Sequence, residues 1–175
     1  LYPKITLHDV FTGKAQLDEA ILPAPGGFHV LLAGSGLVEY SRLTPEVREK
    51  LLDIFEAVKP RFDVIIIDTG AGISDVVLYA VSMATEVIVV ATPEPTSMTD
   101  AYATIKVLAA QQSREKLNLV VNQVARPGDG RTICQQLQQV VDRFVVSPSG
   151  VVPKLQFLGD IPFDPCVREA VRKRQ

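Results

Sequence analysis

With 175 residues, of which 47% are hydrophobic and 22% charged, the chain has enough apolar material for one packed domain and is too hydrophobic for a disordered polymer. Eighteen basic residues against twenty acidic ones leave a net charge of −2, without the cationic stripe that displaces counterions from nucleic acid, and no uncharged run approaches the roughly 18–20 residues of a membrane-spanning helix. Cys134 and Cys166 form no C-x-x-C pair, and His8 and His29 stand apart from them. This argues against a disulfide framework, a zinc site or an iron–sulfur carrier.

The chain starts at Leu1 with no charged-then-apolar leader, as expected for an interior piece of a longer polypeptide. Residues 5–22 read as two short helices around Gly13. The Pro-rich stretch 23–27 reads as a loop, and Phe28–Leu32 as a strand. Gly34-Ser35-Gly36 then reads as a turn. Residues 44–59 form a predicted helix: Thr44 caps it, Pro45 takes the first helical position, and Val47, Leu51, Phe55 and Val58 make one apolar face.

Four further apolar runs follow, Phe62–Ile67, Val87–Ala91, Leu117–Val121 and Leu155–Leu158. Their β-branched residues are consecutive and do not alternate with polar ones, which predicts strands buried on both faces of a parallel sheet. Between them lie helical patterns at 73–84, 96–112 and 130–145. The last turns Ile133, Leu137, Val140, Val141 and Phe144 inward. The stretch 147–153 is a loop, and Pro165 opens a further helix. Strands alternating with helices predict an α/β fold, a doubly wound and mostly parallel sheet with helices on both faces, in a single domain over 1–175.

Ligands of such sheets bind where strands end, so the residues after each strand are the candidates. Asp68-Thr69-Gly70-Ala71-Gly72-Ile73-Ser74 follows the first of the four runs. A carboxylate at an apolar strand tip suits an acid that holds Mg²⁺, and the glycines let backbone approach a phosphate. An ordinary loop or helix cap fits the same residues. Thr92-Pro93-Glu94-Pro95 follows the second, with Thr96 or Ser97 placed to cap the next helix. Asn122 follows the third. Its carboxamide matches the edge of adenine, and it equally suits a strand-ending turn. The loop Arg126-Pro127-Gly128-Asp129-Gly130-Arg131 after it suits a ribose or a partner alike. Gly159-Asp160-Ile161-Pro162-Phe163-Asp164 follows the fourth, bordering a base pocket or simply capping the last helix through Asp164. Tyr40, Tyr79 and Tyr102 show no stacking pattern.

In this order, F-D-V-I-I-I-D-T-G-A-G-I-S, V-I-V-V-A-T-P-E-P-T-S-M-T-D-A-Y, L-V-V-N-Q-V and L-G-D-I-P-F-D resemble the MinD/ParA family of P-loop ATPases. T-L-H-D-V-F-T-G-K and D-T-G-A-G-I-S are more similar to its flagellar branch, FlhG or FleN, than to MinD itself, where Pro usually stands at the position of Gly70. The resemblance covers nearly the whole chain. It implies ATP/ADP and Mg²⁺ as cofactors. Asp68 would be the acid near the metal, acting through water, and Gly70 and Gly72 would lie in the catalytic loop that senses the γ-phosphate. Asn122 would recognise adenine with Pro162 and Asp164 beside the base, and Thr92, Pro93 and Glu94 would lie near the nucleotide and the dimer face.

The resemblance further implies an ATP-sandwiched homodimer and a cytoplasmic protein held peripherally at the inner membrane in its ATP state. Its implied partners are the flagellar GTPase FlhF, flagellar switch proteins and a transcriptional activator, with no nucleic acid. The family's phosphate loop, K-G-G-x-G-K-T, is absent from these residues and expected before Leu1, and the membrane helix after Gln175. The cluster Arg168, Arg172, Lys173 and Arg174 suits either a basic approach to a membrane or a solvated helix end. The 175 residues alone are therefore expected not to turn over ATP. A non-catalytic regulatory module is the alternative, a K-G-G-x-G-K-T-like loop upstream separating the two, and a partitioning ATPase is a third reading. In the family, the strand leading into the phosphate loop lies beside the Phe62–Ile67 strand. Without it the 62–67 and 87–91 strands would stand about 9–10 Å apart, a gap expected to be closed by the chain itself, by another chain or by the longer protein.

Overall fold

The computed structural model describes residues 4–33 and 44–173. Gly34-Ser35-Gly36, Tyr40 and Arg174 lie outside the described residues. The chain divides between Asp68 and Thr69 into two compact units.

In the first unit, α1 (Leu7–Phe11) starts at Thr6, whose amide and hydroxyl both donate to Asp9 Oδ2, at 2.9 and 3.0 Å. The Thr6 amide, then its hydroxyl, hold the Asp9 carboxyl below the ordinary carboxylate range. Helix α2 (Leu17–Ala20) starts likewise, with the Gln16 amide donating to Glu19 Oε2 at 2.8 Å. The two helices read around Gly13 are thus present. Strands β1 (Ile21–Ala24) and β2 (Phe28–Leu31) then form an antiparallel hairpin, Ile21 opposite Leu31 and Ala24 opposite Phe28.

The hairpin corrects two expectations. Pro23 lies in a strand, not in a loop, and Phe28–Leu31 does not join a parallel sheet. The reason is the turn: Gly26 and Gly27 have φ of +98° and +82°, so three residues reverse the chain and bring the next strand onto its predecessor. Pro23 is tolerated because a two-stranded ribbon is all edge.

Helix α3 (Pro45–Val58) matches its pattern; Thr44 Oγ1 accepts from the Val47 amide at 3.4 Å, and Pro45 occupies the first turn. Lys50 Nζ donates to the Phe11 carbonyl at 2.9 Å, tying α3 to α1. A 3-10 turn (Lys59–Arg61) ends the helix.

The predicted strand at 62–67 does not form. These residues make no described ladder, and Val64 and Ile66 are 75% and 87% exposed. A β-branched run defines a sequence that favours a strand, but the hydrogen bonds must come from a neighbour.

The second unit contains α4 (Asp75–Met83), β3 (Ile88–Ala91), α5 (Pro95–Gln112), β4 (Lys116–Val124), α6 (Asp129–Phe144), β5 (Lys154–Pro162) and α7 (Pro165–Lys173). It is the α/β arrangement the alternation predicts: three parallel strands in the order β3-β4-β5, joined by α5 and α6. The core joins Val89 and Ala91 of β3, Leu117, Leu119 and Val121 of β4, Ile105, Leu108 and Ala109 of α5, and Leu137 and Val141 of α6. Helix α5 ends at Ser113, with φ +52°, which swings Arg114 back across the end of α4. Its guanidinium donates to the Val81, Ala84 and Thr85 carbonyls at 2.9, 2.7 and 3.2 Å, and Gln112 Nε2 donates to the Leu78 carbonyl at 2.7 Å. These side-chain donors tie the junction between α5 and β4 to α4 and to the two residues that follow it.

Burial on two faces holds only for β4, where Leu117, Asn118 and Leu119 are all buried. Strand β3 alternates instead: Val89 and Ala91 face the core while Ile88 and Val90 are 56% and 59% exposed. Side chains on a strand point alternately to opposite faces, and α5 and α6 pack on the face that carries Val89 and Ala91.

Candidate functional site

The motif-bearing loops of the second unit leave the same end of the sheet. After β3, the Thr92 amide donates to Ser97 Oγ at 2.9 Å, and the Glu94 amide donates to Thr92 Oγ1 at 3.4 Å. Glu94 is the residue from which α5 starts, Pro95 being its first helical position. Ser97 thus braces the preceding loop and does not cap the helix as expected, because Pro95 begins the helix two residues earlier. Pro93 is left facing a cleft.

After Val121, Asn122 Oδ1 accepts from the Gln123 amide at 2.9 Å. Gln123 has φ +60°, a left-handed conformation unusual for a side-chain-bearing residue, and the register slips between Asn122 and Val124. Asn122 therefore closes its own turn, and its amide nitrogen donates to no described residue. The bulge turns the Gln123 side chain outward into the cleft.

At the end of β5, the Phe163 amide donates to the Val124 carbonyl at 3.0 Å, which carries the strand pairing past Pro162. Asp164 Oδ1 accepts from the Cys166 amide at 2.8 Å, making Asp164 the cap of α7. Thr92, Pro93, Glu94, Asn122, Pro162 and Asp164 all lie at or just beyond the carboxyl ends of β3, β4 and β5. Asp68 closes the first unit and Thr69 opens the second. Gly70 and Gly72 follow in an irregular segment. A side chain at Gly70 would meet open space, and Gly72 has φ +97° before Ser74 caps α4.

The cleft has a volume of about 370 Å³ and is lined by Pro93, Gln123, Ala125, Asp129, Thr132, Ile133 and Gln136. Most of these escape a sequence reading, because helix periodicity alone does not say which polar residues of α6 border a strand end. The glycines around Asp129 were the available signal. The cleft supplies amides, a hydroxyl and one carboxylate, and no cation. It suits an uncharged, planar polar group and opposes a triphosphate. Among the described residues, no group of three or more His, Cys, Asp or Glu is placed to hold a metal ion. A single acid remains compatible with Mg²⁺, which is commonly bound through one or two carboxylates, water and substrate phosphates. Cys134 is buried, which pushes its thiol up, and it adds no nucleophile.

A parallel sheet with its loop motifs gathered at the carboxyl ends of the strands has the α/β architecture of the P-loop NTPase fold. The crystal structure of the Pyrococcus furiosus cell-division ATPase MinD shares that fold, with a TM-score of 0.70 and 24% identity over 98% of this chain and 66% of that one. Antiactivator FleN of Pseudomonas aeruginosa is 38% identical over 175 residues, 100% of this chain and 60% of FleN. The flagellum site-determining protein YlxH of Helicobacter pylori is 31% identical over 165 residues, 93% of this chain and 53% of YlxH. No family model matches the chain. FleN is alike over the full length of this chain and MinD is alike in fold, so the chain is similar to proteins of the MinD/ParA type. It spans between half and two thirds of the length of these two curated relatives.

Proposed function

We propose that the whole protein is a MinD-like ATPase regulating flagellar number or placement, and that this chain carries its base-recognising end and its metal-binding acid. The observation that carries the reading is the likeness to antiactivator FleN over all 175 residues and to a flagellum site-determining protein over 165, joined to the four strand-tip motifs in their order. Asn122 offers its free amide nitrogen to the ring edge of adenine, with Pro162 against the base and Asp164 holding the loop beside it. Thr92, Pro93 and Glu94 border the nucleotide and the face of a second copy. Asp68 holds Mg²⁺ through water, and Gly70 and Gly72 let the following backbone respond to the γ-phosphate. The bound ion supplies charge neutralisation at the phosphates.

The donor set fits the two ends of ATP unequally. The strand tips fit the base. The cleft has no cation for the phosphates, and the 175 residues contain no G-K-[ST] loop. ATP turnover by a polypeptide of residues 1–175 is therefore expected at background in a single-turnover assay with Mg²⁺. In the whole protein, ATP binding drives homodimerisation and association with the inner membrane from the cytoplasm. Its partners are the flagellar GTPase FlhF and flagellar switch or regulatory proteins. None of the described helices is long and apolar enough to cross a membrane, which leaves a peripheral mode of attachment open.

The testing experiment is Asp68→Asn in the whole protein. Loss of the charge is expected to lower Mg²⁺-dependent turnover by at least about a hundredfold, since a metal at the transferring phosphoryl group contributes several kcal/mol. Turnover unchanged by the substitution would remove Asp68 from the metal site, whereas absence of Mg²⁺-dependent turnover from the unsubstituted whole protein would favour the second reading, a regulatory module without catalysis. The absence of any cation from the cleft is the observation that keeps that reading in play.

A further inference from the structure

The end of β5 carries a carboxylate, Asp160, that bonds the start of the neighbouring helix α6. Asp160 Oδ2 accepts from the Gly128 amide at 2.8 Å and from the Gly130 amide at 3.2 Å. Both donors lie at the start of α6, where Gly128 has φ +95° and the first-turn amides have no partner within the helix. The fit is close as well as polar. A β-carbon at Gly130 would stand 2.6 Å from Asp160 Cβ and 3.2 Å from Val121 Cβ. Between the two latched amides sits Asp129, one turn on sit Thr132 and Ile133, and two turns on sits Gln136, which together form one wall of the cleft. Two residues beyond Asp160 is Pro162, and the strand it belongs to is paired with the one that carries Asn122.

We infer that Asp160 is a positioning residue for base recognition. Its carboxylate locks the Gly128–Gly130 segment to β5, and so fixes the wall formed by α6 relative to Asn122 and Pro162. The inference rests on the adenine-site reading given above. It deepens that reading by assigning selectivity for the base to a residue that does not touch the base. The physical basis is that one ionised oxygen bonding two backbone amides is stronger than neutral contacts, and short enough to leave the segment little play. Without it, the segment keeps its glycine freedom, and the distance between the α6 wall and the Asn122 tip is no longer defined.

The experiment is carried out on the whole protein, with fluorescent ATP and GTP analogues as probes and amide hydrogen exchange as a second readout. In Asp160→Ala, the preference for the adenine analogue is expected to fall about tenfold, the order of effect of losing a charge-assisted pair. Exchange at Gly128 and Gly130 is expected to accelerate while the interior of α6 keeps its protection. A merely structural role would weaken both analogues equally, and an unchanged preference ratio overturns the inference. Unchanged exchange at the two glycines overturns the latch itself, whatever the nucleotide data show. If Asp160→Ala does not fold, Asp160→Asn replaces it. A neutral acceptor is expected to give an intermediate fall in preference, and wild-type preference there overturns the inference too. Failure of the unsubstituted protein to bind the adenine analogue removes the adenine site and this inference together, whereas adenine preference that survives in both variants removes only the inference.

Discussion

Leu119→Ala is expected to destabilise the second unit by about 2–5 kcal/mol, the range for truncating a buried leucine where neighbours cannot collapse into the space. Leu119 is fully buried at the centre of β4, opposite Val89 of β3 and Phe157 of β5. It belongs to the cluster that includes Ile105 and Leu108 of α5 and Leu137 of α6. Strands on both sides prevent β4 from shifting, so a cavity persists. Ile66→Ala is the control. Its side chain has the same apolar character but is almost fully exposed, so its removal is expected to cost less than about 0.5 kcal/mol. Urea denaturation followed by circular dichroism distinguishes the two. Equal midpoints for both variants would contradict the placement of the core.

Gly130→Ala sets two effects of opposite sign against each other. Inside a helix, alanine is favoured over glycine by about 1 kcal/mol. Here the new methyl would stand 2.6 Å from Asp160 Cβ, closer than carbon atoms approach, and 3.2 Å from Val121 Cβ, a tight contact that needs a small shift. Both are β-carbons bonded directly to strand backbone, so neither can swing away as a long side chain would. Overpacking of this kind typically costs about 1–3 kcal/mol, and the contact also pushes the Gly128 and Gly130 amides off Asp160. The net expectation is a loss of stability, read as a lower thermal midpoint. Introducing Asp160→Gly removes the opposing carbon, so the added cost of Gly130→Ala is expected to shrink in that background. A cost that is the same in both backgrounds would show that the contact with Asp160 is not its cause.

Helices were legible where their ends are written in side chains. Thr44-Pro45 marks a start that the structure confirms, because a hydroxyl that accepts a first-turn amide is a local event; the helix read over 73–84 starts at Ser74, whose hydroxyl does the same. At α5 the reading was off in detail: Ser97 turned out to brace the Thr92 amide from inside the helix, a contact that depends on the path of the loop. The strands divide in the same way. Val87–Ala91, Leu117–Val121 and Leu155–Leu158 all form strands; β4 and β5 lengthen, since pairing extends beyond the apolar run, while β3 starts one residue later, at Ile88. The equally apolar Phe62–Ile67 stayed single.

Of the candidate site, the types of residue at the strand tips were legible and their present hydrogen bonds were not. Asn122 and Asp164 each had two readings, a ligand contact or a local cap. In the structure each side chain is engaged by a nearby backbone amide through one oxygen. Gln123, Thr132 and Gln136 carry no pattern that marks a cleft, Asp129 lies in a glycine-flanked loop that suits a ribose or a partner alike, and Asp160 lies within a motif that assigns it no role.

By itself, the sequence determined the alternation of helices and strands, the Thr44 helix start and the family resemblance, because these depend on residue type and on spacing along the chain. Tertiary structure alone decided which apolar runs become strands, which face of β3 is covered, and that Asp160 of one strand holds the first turn of a helix 30 residues earlier. The physical reason is that a backbone amide or an apolar side chain has no fixed value of its own. Its contribution depends on the partner brought to it, and partners distant in sequence meet only when the chain has folded.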